Sequence, residues 1–161
     1  MIGENVTLTH CEIRLSDDNN LIEIGNDVRF SSGKIYLVGT SGQHIRIGAD
    51  TTVEGAYLLV DEAASIDIGR DCMLSTEIIM RTGDKHSILS LESGKRINGS
   101  QDIRIADRVW IGRDVTVLEG VVLQPETVVA TRSLFDEGEC VVAGVPVRVV
   151  KRAIRWDRQL L

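Results

Sequence analysis

Aliphatic residues recur every six positions in the second half of the chain. The five positions are Ile105, Ile111, Val117, Leu123 and Val129. Four residues after each of them stands a small or β-branched residue: Val109, Val115, Val121, Thr127 and Ser133. A period of six matches neither an α-helix nor a long β-strand, whose periods are about 3.6 and 2. It predicts very short strands separated by turns, with each aliphatic residue pointing inward.

Copies of the same unit also occur earlier, spaced further apart. They begin at Ile22, Ile45, Ile66 and Ile103. The second isoleucines of the first three copies are 23 and 21 residues apart. Three hexapeptides need 18 residues, so each interval predicts one three-sided coil plus a few loop residues. The next interval, from Ile68 to Ile105, is 37 residues and predicts one or two coils with a larger excursion.

The repeats predict an all-β fold in which coils stack along an axis and bury aliphatic residues on each other. We expect a parallel β-helix over residues 1–146, with a loop protruding at about 81–100. After the turn Gly144-Val145-Pro146 the spacing becomes helical, which predicts a short helical tail over 147–161. A β-sandwich is the alternative, but it would not need a strict phase of six.

Glycines follow the inward aliphatic residue in several repeats. They are Gly25, Gly48, Gly69 and Gly112. At these positions we expect the turn to need the backbone freedom of glycine.

Composition narrows the class of protein. Hydrophobic residues make up 43% of the 161 residues, which argues against disorder. No run of 18 apolar residues is present, so no membrane span is expected. The N-terminus has neither the basic nor the apolar region of a signal peptide. Cys11, Cys72 and Cys140 are scattered, which predicts reduced thiols in a cytoplasmic protein and no structural zinc site.

Charge is unevenly distributed along the chain. The net charge of −6 disfavours a nucleic-acid-binding protein. From Arg148 onward, the chain contains five basic residues and a single acidic one, Asp157. Such a basic end can hold a phosphate-bearing ligand or an acidic neighbour, or it can simply be a solvated surface.

Four stretches in this order resemble the hexapeptide-repeat acyltransferases, and most closely the O-acetyltransferases of sugars, surface polysaccharides and some antibiotics. They are Asp84-Lys85-His86-Ser87-Ile88, Ile97-Asn98, Val109-Trp110-Ile111-Gly112, and Ala143-Gly144-Val145-Pro146 followed by Arg148-Val149. The resemblance implies a left-handed β-helix and a homotrimer whose active sites lie between subunits. It also implies acetyl-CoA as the acetyl donor and direct attack by a sugar hydroxyl group.

The resemblance places the general base at His86, in the predicted loop. Histidine titrates near neutral pH, which suits removal of the proton from an attacking hydroxyl group. Asp84 is expected to orient the imidazole or the acceptor. Arg81 and Asn98 are expected to bind the acceptor. The alternative for His86 is a histidine of the loop surface with no chemical role.

Binding of coenzyme A is assigned from the same resemblance. The positions that match the family are Trp110, Gly112, Thr131, Gly144 and Arg148. Lys151 and Arg148 are expected to meet the nucleotide phosphates. The chain departs from the family at Arg113 and Arg132, where small residues are usual, so these arginines are further candidates for the nucleotide end of the cofactor.

Other functions remain open. The altered corner at Thr131-Arg132 suits a hexapeptide-repeat scaffold or assembly subunit that has lost catalysis. An N-acyltransferase acting on an amino sugar or antibiotic is also compatible with the motifs. Gamma-class carbonic anhydrases share the fold but need three clustered histidines. Here His10, His44 and His86 are 34 and 42 residues apart, so no metal site is expected.

Overall fold

The computed structural model describes residues 1–132, 140–143 and 148–152. They form a parallel β-solenoid of about six turns. Three sheets make its three sides, and we number the strands in chain order. The first sheet contains β1 (Thr7–Leu8), β4 (Arg29–Phe30), β7 (Thr52–Val53), β10 (Met73–Leu74), β13 (Trp110–Ile111), β16 (Val128–Val129), β17 (Cys140–Ala143) and β18 (Arg148–Arg152).

The other two sheets have five strands each. The second contains β2 (Cys11–Leu15), β5 (Gly33–Leu37), β8 (Ala56–Val60), β11 (Ile78–Arg81) and β14 (Thr116–Val117). The third contains β3 (Leu21–Ile24), β6 (His44–Ile47), β9 (Ser65–Ile68), β12 (Ile103–Ile105) and β15 (Val122–Leu123). We call the turns after the first, second and third sheets the first, second and third corners.

The six-residue period places successive aliphatic residues on the three sides of one core. Ile105 and Leu123 lie in the third sheet, Ile111 and Val129 in the first, and Val117 in the second. All five are at most 4% exposed, which confirms that they point inward. Because each side of the solenoid contributes only a few residues per coil, a strand of two residues is enough to bury one of them.

The earlier repeats stack directly on one another. Ile24 pairs with Ile47, Ile47 with Ile68, and Ile68 with Ile105, all in parallel register. The interval of 37 residues between Ile68 and Ile105 is therefore a single coil that carries a long loop, not two coils.

The glycines at this repeated position have a different role from the one expected. None of Gly25, Gly48, Gly69 and Gly112 has a positive φ angle. A Cβ atom added to Gly48 would lie 2.5 Å from the carbonyl group of Gly69 in the next coil. Close approach of neighbouring coils, and not freedom in φ, therefore requires glycine at this position. The left-handed positions of the third corner lie two residues further on, at Asp50 and Asp71.

The C-terminal segment differs from the prediction. Residues Arg148–Arg152 form strand β18, which pairs antiparallel with β17, so the helical tail predicted from residue 147 is wrong at these residues. Strand β17 in turn pairs parallel with β16 and extends the first sheet. The antiparallel pairing gives the last parallel strand a hydrogen-bonding partner that a helix would not supply. The remainder of the predicted helix, residues 153–161, lies outside the described residues.

A long loop leaves the solenoid between β11 and β12, where the sequence placed its excursion. We call residues 82–102 the histidine loop, residues 82–88 its outgoing arm and residues 96–102 its return arm. In the part of the chain that the structure describes, no helix is long and apolar enough to cross a membrane.

Candidate active site

The histidine loop is a small hairpin projecting from the second corner. Its arms are joined by an antiparallel bridge between Leu89 and Arg96, and the Ile97 N–H donates to the Ile88 carbonyl oxygen at 2.9 Å. His86 lies on the outgoing arm and is exposed to solvent. Exposure makes its imidazole accessible to a substrate, as the predicted role requires.

Asn98 connects the two arms around His86. Its Oδ1 atom accepts a hydrogen bond from the Ile88 N–H at 2.7 Å, and its Nδ2 atom donates to the carbonyl oxygen of His86 at 2.8 Å. The same Nδ2 atom is 3.4 Å from Oδ2 of Asp84. The structure thus brings Asp84, His86 and Asn98 together. These hydrogen bonds of the Asn98 side chain are made within the loop. Its assignment to the acceptor stays a prediction.

The base of the loop contains a buried carboxylate that the sequence reasoning missed. Asp61 directly follows β8, and its side chain is 7% exposed. Its Oδ1 atom is 3.7 Å from Nζ of Lys85, and its Oδ2 atom is 4.0 Å from a guanidinium nitrogen of Arg81. Desolvation by burial raises the pKa of Asp61, and the two cations oppose that shift. Arg81, predicted to bind the acceptor, therefore lies beside Asp61.

The neighbouring acid, Glu62, was missed as well. It forms an ion pair with Arg96 and accepts a hydrogen bond from the Ser100 N–H at 3.1 Å. The hydrogen bond from Arg96, followed by the one from Ser100, lowers the pKa of Glu62. The only sequence signal for these acids is the adjacent pair Asp61-Glu62, which stands 21 residues after the polar turn Thr40-Ser41. This signal is too weak to predict the contact between Glu62 and Arg96, 34 positions later in the chain.

A second group of predicted residues meets at the first corner. The Gly112 N–H donates to the carbonyl oxygen of Val129 at 2.8 Å, and the Arg132 N–H donates to that of Arg113 at 3.1 Å. A Cβ atom on Gly112 would lie 2.9 Å from the Thr131 nitrogen. Gly112, Arg113, Thr131 and Arg132 are thus adjacent.

Trp110 lies in β13, just before this corner. It is 41% exposed, so its ring covers the outer surface of the first sheet as the six-residue phase predicts. Arg148 and Lys151 lie in β18, at the end of that sheet. Gly144, the remaining predicted residue of the coenzyme A site, lies outside the described residues.

Both arginines of the first corner contact acids. Nε of Arg113 donates to Glu77 at 2.9 Å, and Nε of Arg132 donates to Asp114 at 2.8 Å. The hydrogen bond with Arg113 lowers the pKa of Glu77 and raises that of Arg113. These pairs are exposed, so each arginine is held only weakly by its carboxylate.

Glu77 and Asp114 also line a surface groove of about 620 Å³ over the second sheet. Its floor includes Tyr57 and Ile79. The groove begins at the first corner and offers apolar surface beside the charged pairs.

The two groups of predicted residues lie at opposite ends of the strands of the second sheet. The histidine loop leaves at the second corner, whereas Gly112 and Thr131 follow strands of the first sheet. The strands between these corners have up to five residues, which corresponds to roughly 15 Å. Within one chain, the predicted base His86 is therefore distant from the predicted coenzyme A residues.

The remaining candidates for chemistry have structural surroundings. His44 contacts Glu23 across neighbouring strands at 2.9 Å. Burial raises the pKa of the Cys72 thiol to about 11, so this thiol is protonated and inert near neutral pH. Among the described residues, no group of three His, Cys, Asp or Glu side chains is placed to hold a metal ion.

Comparison with known proteins identifies relatives. No protein-family model matches the chain. A polysialic acid O-acetyltransferase of Escherichia coli O1:K1 / APEC is 33% identical over 125 residues, which cover 76% of this chain and 41% of that protein. A polysialic acid O-acetyltransferase of Neisseria meningitidis is 38% identical over 119 residues, which cover 74% of this chain and 54% of that protein. The chain thus spans about half the length of these curated relatives, or less.

The solved structure of the polysialic acid O-acetyltransferase OatWY superposes on the chain with a TM-score of 0.90. The sequences are 34% identical, and the match covers 99% of this chain and 77% of that one. The chain therefore belongs to the hexapeptide-repeat acyltransferases, which confirms the predicted family and the predicted left-handed parallel β-helix. The two curated relatives and the solved structure are all polysialic acid O-acetyltransferases.

Proposed function

We propose that this chain is an O-acetyltransferase that moves an acetyl group from acetyl-CoA to a hydroxyl group of an acidic polysaccharide. The similarity to OatWY over 99% of the chain carries the proposal. The exposed position of His86 on a loop braced by Asn98 supports it, because a general base must reach its substrate.

The chemistry assigned to His86 is a single transfer step. A ring nitrogen of His86 takes the proton of the acceptor hydroxyl group while the oxygen attacks the thioester carbonyl carbon. The carbon–sulfur bond breaks, and the leaving coenzyme A thiolate takes a proton from the imidazolium. The products are an acetyl ester and free coenzyme A, and no acyl-enzyme forms. Asp84 lies within the same cluster and is assigned to orienting the imidazole.

We propose that the complete site forms between the subunits of a homotrimer. The separation of the His86 loop from Trp110, Gly112 and Thr131 within one chain supports this arrangement. A second copy that places its first corner against the second corner of its neighbour would bring the base and the coenzyme A residues together. The apolar groove beside the first corner provides surface for such a contact.

The coenzyme A end of the site is assigned to the first corner and the last strands of the first sheet. Arg113 and Arg132 would exchange Glu77 and Asp114 for phosphate oxygens, and Arg148 and Lys151 would add positive charge. We place the reaction in the cytoplasm, because the three cysteines are scattered along the sequence in the manner typical of reduced thiols.

The proposal is tested first by titrating acetyl-CoA into the protein while heat and thermal stability are recorded. Polysialic acid is then added and the release of coenzyme A thiol is followed. We expect saturable binding, and thiol release that depends on the polymer. His86→Asn should lower the transfer rate about 100-fold or more, because a general base typically contributes at least that factor.

The matched control is His10→Asn. His10 is also exposed, has a φ of 47° that asparagine tolerates, and lies at the N-terminal end of the solenoid. It should leave the rate unchanged. A loss below about tenfold in His86→Asn would contradict the assigned base. Absence of acetyl-CoA binding would overturn the enzyme in favour of a scaffold, and thiol release with amino sugars alone would indicate an N-acyltransferase.

A further inference from the structure

The outgoing arm of the histidine loop is attached to the coil below it at two points. The Thr82 hydroxyl accepts a hydrogen bond from the Asp61 N–H at 2.8 Å and donates to the Asp61 carbonyl oxygen at 3.1 Å. Lys85, directly before His86, has a φ of 62°, a left-handed conformation that is unfavourable for lysine. Its ammonium group lies 3.7 Å from Oδ1 of Asp61. This contact stabilises the unfavourable conformation next to the proposed base.

Arg81 attaches the same arm from the other side. Its Nε atom donates to the carbonyl oxygen of Gly83 at 2.9 Å, while its guanidinium group faces Oδ2 of Asp61 at 4.0 Å. A Cβ atom on Gly83 would lie 2.2 Å from Oγ of Ser100 and 3.4 Å from Cβ of Asp61. The two arms therefore pass very close to each other directly beside the Asp61 side chain.

The return arm is attached through the next residue of the same turn. Glu62 holds Arg96 by an ion pair and Ser100 by a backbone hydrogen bond. Arg96 also donates to the Asn98 carbonyl oxygen at 2.9 Å. Because Asn98 holds the carbonyl oxygen of His86, the Glu62 contact continues through Arg96 and Asn98 to the proposed base.

Burying a carboxylate as deeply as that of Asp61 is unfavourable for the free energy of folding. Its Oδ2 atom has no hydrogen-bond partner in the described part of the chain, and the nearby cations compensate only part of the lost hydration. An uncharged side chain could occupy this position of the corner with a smaller loss of hydration free energy. The contacts with Arg81 and Lys85 give the carboxylate a role that an uncharged side chain could not fill.

We propose that Asp61 and Glu62 are positioning residues that clamp the two arms of the histidine loop and so fix the backbone from which His86 projects. Asp61 holds the outgoing arm through Arg81 and Lys85, and Glu62 holds the return arm through Arg96 and Ser100. The catalytic consequence rests on the function proposed above. The mechanical part, order in the loop, does not.

The test compares Asp61→Asn and Glu62→Gln with Glu23→Gln as the matched control. Glu23 also makes a contact between coils, with His44, but on the third sheet. Hydrogen–deuterium exchange should be faster over residues 82–100 in both clamp variants and unchanged over residues 44–60. The value of kcat should fall about 10- to 100-fold, as expected for a misplaced base. KM for acetyl-CoA should stay unchanged, because its proposed site lies at the first corner.

Unchanged exchange in the loop of both variants would overturn the clamp. A loss of kcat without faster exchange would also overturn it, since it would show that the acids act directly on the substrate. If Asp61→Asn fails to fold, Glu62→Gln carries the test alone, because Glu62 lies on the exposed side of the corner. If the wild-type protein transfers no acetyl group, the proposed function fails, whereas the exchange measurement still decides the clamp.

Discussion

In the stacked coils Leu58 is fully buried, whereas in the histidine loop Leu91 is fully exposed. The two regions also differ in the interactions that hold them together. The coils are held by aliphatic stacking and by parallel backbone hydrogen bonds, with ion pairs such as Arg29–Glu54 added on their outer surface. The loop is held by ion pairs, by Asn98 and by a few backbone hydrogen bonds. The fold is thus stabilised in the coils, whereas the proposed base lies in the loop, so stability and the proton-transfer step should respond to different mutations.

The largest expected effect is on stability, from truncation of a buried leucine. Leu58→Ala should lower the free energy of unfolding by about 2–5 kcal/mol, because it leaves a cavity between tightly packed coils. Leu91→Ala is the matched substitution in the loop and should change it by less than about 0.5 kcal/mol. Urea unfolding followed by circular dichroism measures both. An equal loss in Leu91→Ala would show that this residue packs against another surface, such as a second copy.

A smaller effect is expected where coils approach closely. Gly48→Ala places a Cβ atom 2.5 Å from the backbone of Gly69 and should cost about 1–3 kcal/mol through overpacking. In the loop, a Cβ atom on Gly99 meets nothing within 4 Å, so Gly99→Ala should be nearly neutral. Thermal unfolding of the two variants compares them. Neutral behaviour of Gly48→Ala would mean that the coils are not in close contact at this corner.

The smallest effect concerns the pH dependence of stability. In the unfolded chain the Cys72 thiol titrates near its ordinary value of 9.0, but in the folded coil its pKa is raised to about 11. Between these values the unfolded state loses the proton first, so stability falls as pH rises from about 9 to about 11. At pH 10 this difference in protonation lowers the free energy of unfolding by about 1 kcal/mol.

Urea midpoints of the wild type and of Cys72→Ala, measured at pH 8 and pH 10, isolate this contribution. The wild type should lose more stability between the two pH values than the variant. Equal losses would indicate that water reaches the thiol and that the interior of the coil is less dry than that of an ordinary protein core.

Prediction from sequence succeeded where one local pattern fixes the structure. Ile111 and Val117 could be placed inward because a six-residue phase admits few other folds, and His86 could be placed in a loop because the repeat is interrupted around it. The glycine spacing was recognised, but its cause, the approach of Gly48 to Gly69, depends on how neighbouring coils stack. The spacing of Val149, Val150, Ala153 and Ile154 predicts a helix, whereas pairing with β17 selects a strand at Arg148–Arg152.

The sequence alone determined the repeat, the inward residues and the motifs that mark the family, because each depends on residues close together in the chain. The tertiary structure decided which distant residues meet. Asp61 and Lys85 are 24 positions apart, and only the stacking of coils, with the loop starting one coil above the acid, brings their charges together. The same stacking leaves His86 and Gly112 at opposite ends of the strands of the second sheet. Long-range register is set by burial across the whole solenoid, and local patterns carry no record of it.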